Sequence, residues 1–495
     1  MHSNYGVSTA HPLATKVGLE ILKKGGNAVD ASVAISFVLG VVEPYASGIG
    51  GGGNMLIFPK NETKPILYDY REIAPTKLKE KYNIGVPGFV KGMERIVNDY
   101  GTLSLKETLQ PAINFAEQGY KISNIIANNI KETKHDQVKR LDHYWPDGTP
   151  LKNGDKLIQK ELAILMKHIA EKGSEYFYEQ TFAQEIVNAD IGITFEDLNT
   201  YDVKIREPLF GNYHSYDIWS APAPVSGLVI ILTLSLLEKL GIDNYKTNSP
   251  EYIAGLSSVL RVVLKVLYEQ VGDPEFVHIN EQQLLSADNI QKLAEKIKHN
   301  NKYPQLYLND ESHTTHFSVI DSNGMVVSTT NTLSNFFGSG VYIKGVFFNN
   351  QMQNFSKDNS SSNSIEKGKR CLSIIAPTIL SKDGKPIMTI GASGAARIPT
   401  IITKTIVDYI KHGINFPETI GSKRFFVNEQ EVYFEEELAE EIIEKLKNYG
   451  LKSVYFPEPM FYGGVQGIVK QNGNLDGAAD PRRGGTFQKN SNYLF

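Results

Sequence analysis

Two threonines, Thr314 and Thr332, lie at a spacing that can bring their hydroxyls together. The stretch from His316 to Asp321 alternates polar and apolar residues, Ser322-Asn323-Gly324 reads as a turn, and Met325 to Thr332 is rich in β-branched residues. With a three-residue connection Asp321 faces Met325, and Thr314 falls opposite Thr332, close enough for hydroxyl contact. A four-residue turn would shift that register. A threonine hydroxyl is a weak nucleophile at neutral pH, but a threonine that begins a chain also carries a free α-amine, with an ordinary pKa of about 7.7–8.0. The amine can take the hydroxyl proton, and its proximity is built into the residue. Thr332 could orient that hydroxyl or hold the amine. On spacing alone, Thr314 is one of several strand threonines.

Other residues offer complementary chemistry. The small residues of GASGAA, 391–396, leave backbone N–H groups accessible, as an oxyanion site requires, and they equally suit a tight turn between strand and helix. Arg71, after the strand-like ILYDY, could clamp a carboxylate with paired donors or serve a structural ion pair. GIGGGG, 48–53, lacks the lysine-serine/threonine of a phosphate loop and reads as a special turn or a point of close approach.

The elements that must position these residues follow a mixed α/β pattern. Ala14 to Lys24 reads as a helix ended by Gly25-Gly26, and Asn27 is placed to cap a second, mostly apolar helix that ends before Pro44. Met55 to Phe58 and Pro65 to Tyr70 read as short strands, and the chain after Gly88 is mainly helical. Tyr213 to Trp219 reads as a strand and Val225 to Leu237 as a buried helix too short to span a membrane. Strands are expected at Gly345 to Phe348, Ser373 to Leu380 and Pro386 to Ile390, with helices at Ile401 to His412 and Glu436 to Asn448. The stretch 358–369, with three consecutive serines, reads as a loop.

Composition bounds the partners. The 495 residues, 41% hydrophobic and 21% charged, can bury a sizeable core. A net charge of -4 gives no reason to expect nucleic acid. The 11 histidines are scattered, so no metal is expected, and the single cysteine excludes an intrachain disulfide. MHSNYGVSTAHP shows no secretory signal, so a cytoplasmic location is expected.

Separated segments resemble the γ-glutamyltranspeptidase family: GLEILKKGGNAVDA at 18–31, GIGGGGNM at 48–55, DYREIAP at 69–75, GVPGF at 85–89, TTHFSVID at 314–321, FFGSG at 336–340, NNQM at 349–352, GASGAAR at 391–397 and GAADPR at 477–482. They stand in family order over nearly the whole chain. The resemblance implies an α+β, four-layer αββα N-terminal-nucleophile hydrolase fold. It also implies self-cleavage between His313 and Thr314 into intertwined large and small subunits, 1–313 and 314–495. Thr314 would attack a γ-glutamyl or related acyl amide, and water or an amine would release the acyl group; no cofactor is needed. By the same resemblance Thr332 supports the nucleophile, the backbone amides of Gly394 and Ala395 bind the oxyanion, and Arg71 holds the donor carboxylate. Gln351 and Ser373 line the donor pocket. The sequence departs from the family pattern in carrying Ser334 in place of asparagine, Asn354 in place of an acidic residue, Ile374 in place of a serine and Ala395 in place of a glycine. Losing the acidic partner of a donor α-ammonium points toward a dicarboxylic monoamide such as a glutaryl amide, or toward a cephalosporin-acylase-like amidase. The 358–369 loop, shorter than the family's lid-containing form, suggests an open entrance. A noncatalytic binding protein on this fold is the third reading, and the sequence leaves the possibility of a higher oligomer open.

Overall fold

The strands carrying the two threonines, Ser312–Ile320 and Val326–Asn335, form the middle of a seven-stranded antiparallel sheet. Its order is Thr486–Asn490, Tyr5–Thr9, Ser312–Ile320, Val326–Asn335, Gly52–Phe58, Ile66–Asp69, Lys204–Arg206. The computed structural model describes residues 5–299, 312–471 and 473–490. A second antiparallel sheet runs Asn474–Ala479, Gly464–Gln471, Lys385–Ser393, Thr378–Lys382, Tyr216–Ser220, Leu209–Tyr213.

Strand periodicity explains how the sheets stack. Alternate side chains point to opposite faces, so Thr314, His316 and Ser318 share one face while Thr315, Phe317 and Val319 share the other. Ser318 meets Thr389 Oγ1 at 3.2 Å and the Gln466 carbonyl at 3.5 Å, both in the second sheet. Phe317 and Val319 pack into the core that includes the helix Ala28–Val42. That helix begins with a capping box between Asn27 and Asp30 and is apolar on nearly every side, which suits an element enclosed between layers. On the far side, Gly227–Leu240 and Ile398–Ile410 cover the second sheet. The result is the four-layer αββα arrangement. Both sheets combine strands from before and after residue 313, so neither segment builds a core alone.

Two expectations change. Tyr213 to Trp219 is not one strand: His214 adopts φ +50° and turns the chain between Leu209–Tyr213 and Tyr216–Ser220. The strand expected from Ser373 begins only at Thr378. Residues 373–375 instead bond to the 224–226 turn, with Ser373 N–H donating to the Pro224 carbonyl and Ser226 Oγ to the Ile374 carbonyl. The GIGGGG segment is a site of close approach: a β-carbon on Gly51 would lie 2.3 Å from the Thr332 carbonyl oxygen. Among the described residues, no helix is long and apolar enough to cross a membrane.

Candidate active site

The hairpin register is the three-residue one. Ile320 faces Val326, and Thr314 faces Thr332. Their hydroxyl oxygens are 3.3 Å apart, and both residues are buried. A bulge follows Thr332, and Ser334 adopts φ +75°, which turns its N–H back to donate to Thr332 Oγ1 at 2.8 Å. That acceptance fixes the Thr332 hydroxyl oxygen beside the Thr314 oxygen.

Thr314 and Thr332 open onto a cavity of about 220 Å³ between the sheets. Gln351, Gln353, Asn354, Ser373, Ile374 and Ala395 share its wall. The Lys385–Ser393 strand ends at this point, and Gly394, at φ +131°, leads into the short turn Ala395–Arg397, which packs against the Ser312–Ile320 strand. The first N–H groups of such a turn have no acceptor within it. Ala395 itself stands at φ +52°, a left-handed conformation that glycine adopts with least strain. Its β-carbon is therefore tolerated, at a cost of about 1 kcal/mol.

The rest of the wall comes from loops. Gln351 and Asn354 belong to the short turn Gln351–Asn354. Gln351 N–H donates to Asn349 Oδ1 at 3.0 Å, while its buried Oε1 has no partner among the described residues. Gln353 pairs with Asn335 through Nε2 at 2.6 Å and reaches Ser334 Oγ at 3.4 Å. Ser334 thus supports the site without lining the cavity. Ser373 and Ile374 reach the wall because their segment is tied to the 224–226 turn instead of joining a ladder.

Arg71 is placed differently from the expectation of a carboxylate clamp. It is 1% exposed and does not line the cavity. Its Nε meets Asp69 Oδ1 at 3.2 Å, and its Nη1 donates to the Cys371 carbonyl at 2.9 Å. Asp69 also meets Arg206 at 3.1 Å and Arg370 at 3.5 Å. Burial pushes the Asp69 carboxyl up, but these three guanidiniums outweigh it and hold it below its usual range. The Arg71 geometry fixes Cys371, two residues from Ser373, from behind the wall.

Two nearby groups are poor candidates for proton transfer or attack. His316 lies on the Thr314 face, but its Nδ1 is 2.8 Å from Thr330 Oγ1, and burial lowers its pKa to about 3. Its ring fills the space left by Gly391, where a β-carbon would lie 2.3 Å from His316 Cε1. Burial pushes the Cys371 thiol up to about 12, so it is not a thiolate at neutral pH.

The chain is continuous across residues 313 and 314, and its strand pairing extends back through Ser312. His313 faces Ser334 through the backbone; its side chain lies outside the described part of the structure. Tyr268, on Pro250–Gln270, and Ile398 complete the apolar wall together with Leu372 and Ile375. Sequence reasoning missed these residues. Ile398 directly follows GASGAAR, which was a usable signal, but nothing in the local pattern of the Tyr268 helix marks that residue as facing a site. Among the described lining residues none is charged.

The γ-glutamyltranspeptidase family model matches residues 14–489. The capsule biosynthesis protein CapD proenzyme of Bacillus anthracis is 41% identical, over 98% of this chain and 91% of its own length. The glutathione hydrolase proenzyme of Bacillus subtilis is 34% identical, over 97% of this chain and 90% of its own. The crystal structure of cephalosporin acylase from Bacillus halodurans superposes with a TM-score of 0.88 at 25% identity, covering 99% of this chain and 96% of that one.

Proposed function

Because the chain belongs to the γ-glutamyltranspeptidase family, an enzyme family of N-terminal-nucleophile hydrolases, we propose that it cuts itself between His313 and Thr314 and then uses Thr314 to cleave an acyl amide. The observation that carries this reading is the meeting of Thr314, Thr332 and the Ala395 turn on one cavity wall. In the uncut chain the Thr314 nitrogen is an amide and cannot act as a base. Thr314 Oγ1 attacks the His313 carbonyl carbon, the peptide C–N bond breaks, and the acyl group moves to oxygen. Water then hydrolyses the ester, leaving a His313 carboxylate and a free Thr314 amine.

In turnover the Thr314 amine takes the hydroxyl proton as Oγ1 attacks the donor carbonyl. The backbone N–H groups of Gly394 and Ala395 stabilise the oxyanion. The amine returns the proton to the departing nitrogen, leaving an acyl-enzyme. Water or an acceptor amine attacks next and gives up its proton to the Thr314 amine, which passes it to Oγ1 as the C–Oγ1 bond breaks and the acyl group leaves.

Among the described residues the wall carries no charge, which favours a particular donor class. A donor α-ammonium is strongly hydrated and finds no anionic partner at Asn354, whereas a carboxylate can take N–H and O–H donors from Asn354 and Ser373. We therefore read the donor as a dicarboxylic monoamide of the glutaryl type in preference to a γ-glutamyl amide. This also brings the reading toward the acylase.

Mass spectrometry of the purified protein tests the first claim: a fragment beginning at Thr314 is expected, and Thr314→Ala should abolish both cutting and turnover. A cut elsewhere, or normal cutting in the alanine variant, overturns it. Competition between glutaryl and γ-glutamyl amides tests the second, and a large γ-glutamyl preference rejects it.

A further inference from the structure

The strand that begins with the nucleophile is supported unevenly. On one side, Ser312–Ile320 pairs with Val326–Asn335 along its length. On the other, Tyr5–Thr9 pairs only with residues 317–320, from Thr9 opposite Phe317 to Gly6 opposite Ile320. Once the bond before Thr314 opens, residues 314–316 become a chain end with ladder support on one side, and such ends fray.

A side-chain hydrogen bond instead ties this stretch to the helix layer on the sheet's other face. Thr315 points away from the cavity, and its Oγ1 donates to Glu43 Oε2 at 2.9 Å, with both residues buried. Glu43 is itself held firmly. It caps the C-terminus of Ala28–Val42, where its N–H donates to the Leu39 carbonyl at 2.7 Å, and the Tyr45 hydroxyl reaches its Oε1 at 3.3 Å. The following residues are stitched to the end of the Thr332 strand: Leu333 N–H donates to the Ala46 carbonyl and Phe337 N–H to the Tyr45 carbonyl, each at 3.0 Å. Burial raises the Glu43 pKa, while the Thr315 bond and the Arg483 charge favour its anionic form.

We propose that Glu43 is a positioning residue that holds Thr315, and through it the newly freed Thr314 amine, in register beside Thr332 after self-cleavage. The proposal rests on Thr314 being the nucleophile. The bond matters most in the cut enzyme, because in the uncut chain the peptide link to residue 313 and the pairing of Ser312 with Asn335 also restrain the strand.

The test uses Thr315→Val, which removes the hydroxyl at similar volume, with Thr315→Ser as its rescue and Thr315→Ala where the valine chain does not accumulate. Turnover is measured per cut chain, and amide hydrogen exchange is followed over residues 315–317. The valine variant should cut, then lose about tenfold or more in kcat with KM nearly unchanged, and exchange those amides faster; serine should restore both. Placed in the uncut Thr314→Ala background, Thr315→Val should leave the exchange unchanged. Glu43→Gln, which keeps an acceptor for Thr315, should retain most of kcat. Normal kcat in the valine variant overturns the proposal, as does equally faster exchange in cut and uncut chains. A valine variant that stays uncut at wild-type Tm also overturns it, since the contact would then act before the bond opens. Failure of the nucleophile reading would show separately, as a wild-type protein without a fragment starting at Thr314.

Discussion

Replacing Glu72 by glutamine should raise thermal stability above neutral pH and change it little in acid. Glu72 follows Arg71, is 1% exposed, and neither carboxyl oxygen has a hydrogen-bond partner on another of the described residues. Burial lifts its pKa from 4.5 to about 8, with its own backbone N–H and the charges of Arg71 and Arg370 offsetting only part of the effect. The folded protein therefore keeps a proton across this window that the unfolded chain has already lost. That stabilisation is complete below the unfolded value of 4.5, shrinks as pH rises, and is gone above about 8. At about 1.4 kcal/mol per pKa unit, the loss is of order 5 kcal/mol at most. An unfolding entropy of roughly 2.1 cal/mol/K per residue gives about 1 kcal/mol/K for this chain length, so the effect corresponds to a Tm shift of about 5 °C. Glutamine is neutral at every pH and does not incur the loss. Scanning calorimetry of both proteins should show Tm values that nearly coincide near pH 5 and separate to about 5 °C by pH 8.5, the variant being the more stable. Parallel Tm curves over that range, or a wild-type curve that rises relative to the variant, would refute the assignment of a protonated buried carboxyl at this position.

Asp69→Asn leaves the buried Arg71 and Arg370 and the partly exposed Arg206 short of their common anion and should cost about 3–5 kcal/mol, read as a drop in Tm of several degrees. A drop below about 1 °C would show that the cluster is held by other means. Asn354→Asp restores an anion facing the cavity and should raise kcat/KM for γ-glutamyl relative to glutaryl amides by about tenfold, equivalent to ~1.4 kcal/mol. An unchanged ratio in competition kinetics would remove Asn354 from donor selection. At Ala395, glycine should keep Tm and turnover close to wild type, because relief of left-handed strain is offset by a more flexible unfolded chain. Valine there should lower turnover by about tenfold or more, since a β-branched residue at φ +52° forces the turn and its N–H groups to move. Full activity of the valine variant would separate this turn from the chemistry.

Much of the scaffold was legible locally. The Ser322-Asn323-Gly324 turn and the alternating residues beside it offered a register that put Thr314 opposite Thr332 for a three-residue connection, and the structure has that connection; a two-residue period leaves no freedom once the turn length is set. Asn27 and the apolar run after it likewise marked a capped, mostly apolar helix from short-range pattern alone, and the structure adds Asp30 as the other half of its capping box. The Tyr213 to Trp219 stretch misled because its aromatic residues favour strand on both sides of a turn that His214 makes with a positive φ, a conformation in which histidine is enriched but still uncommon.

The sequence by itself thus offered candidate residues for chemistry, through motifs in family order, and a hairpin register conditional on a three-residue turn, since turn and period depend on neighbours a few positions apart. The tertiary structure decided which groups face the cavity and which stand behind it. It turned Arg71 onto Asp69 and the Cys371 carbonyl, filled the space over Gly391 with His316, and brought Tyr268 to the wall from a helix about fifty residues before Thr314. It also joined Glu43 to Thr315 across 272 positions of chain. Contacts of that kind depend on how layers stack, and no local period or spacing encodes the partner a buried charge will meet across them.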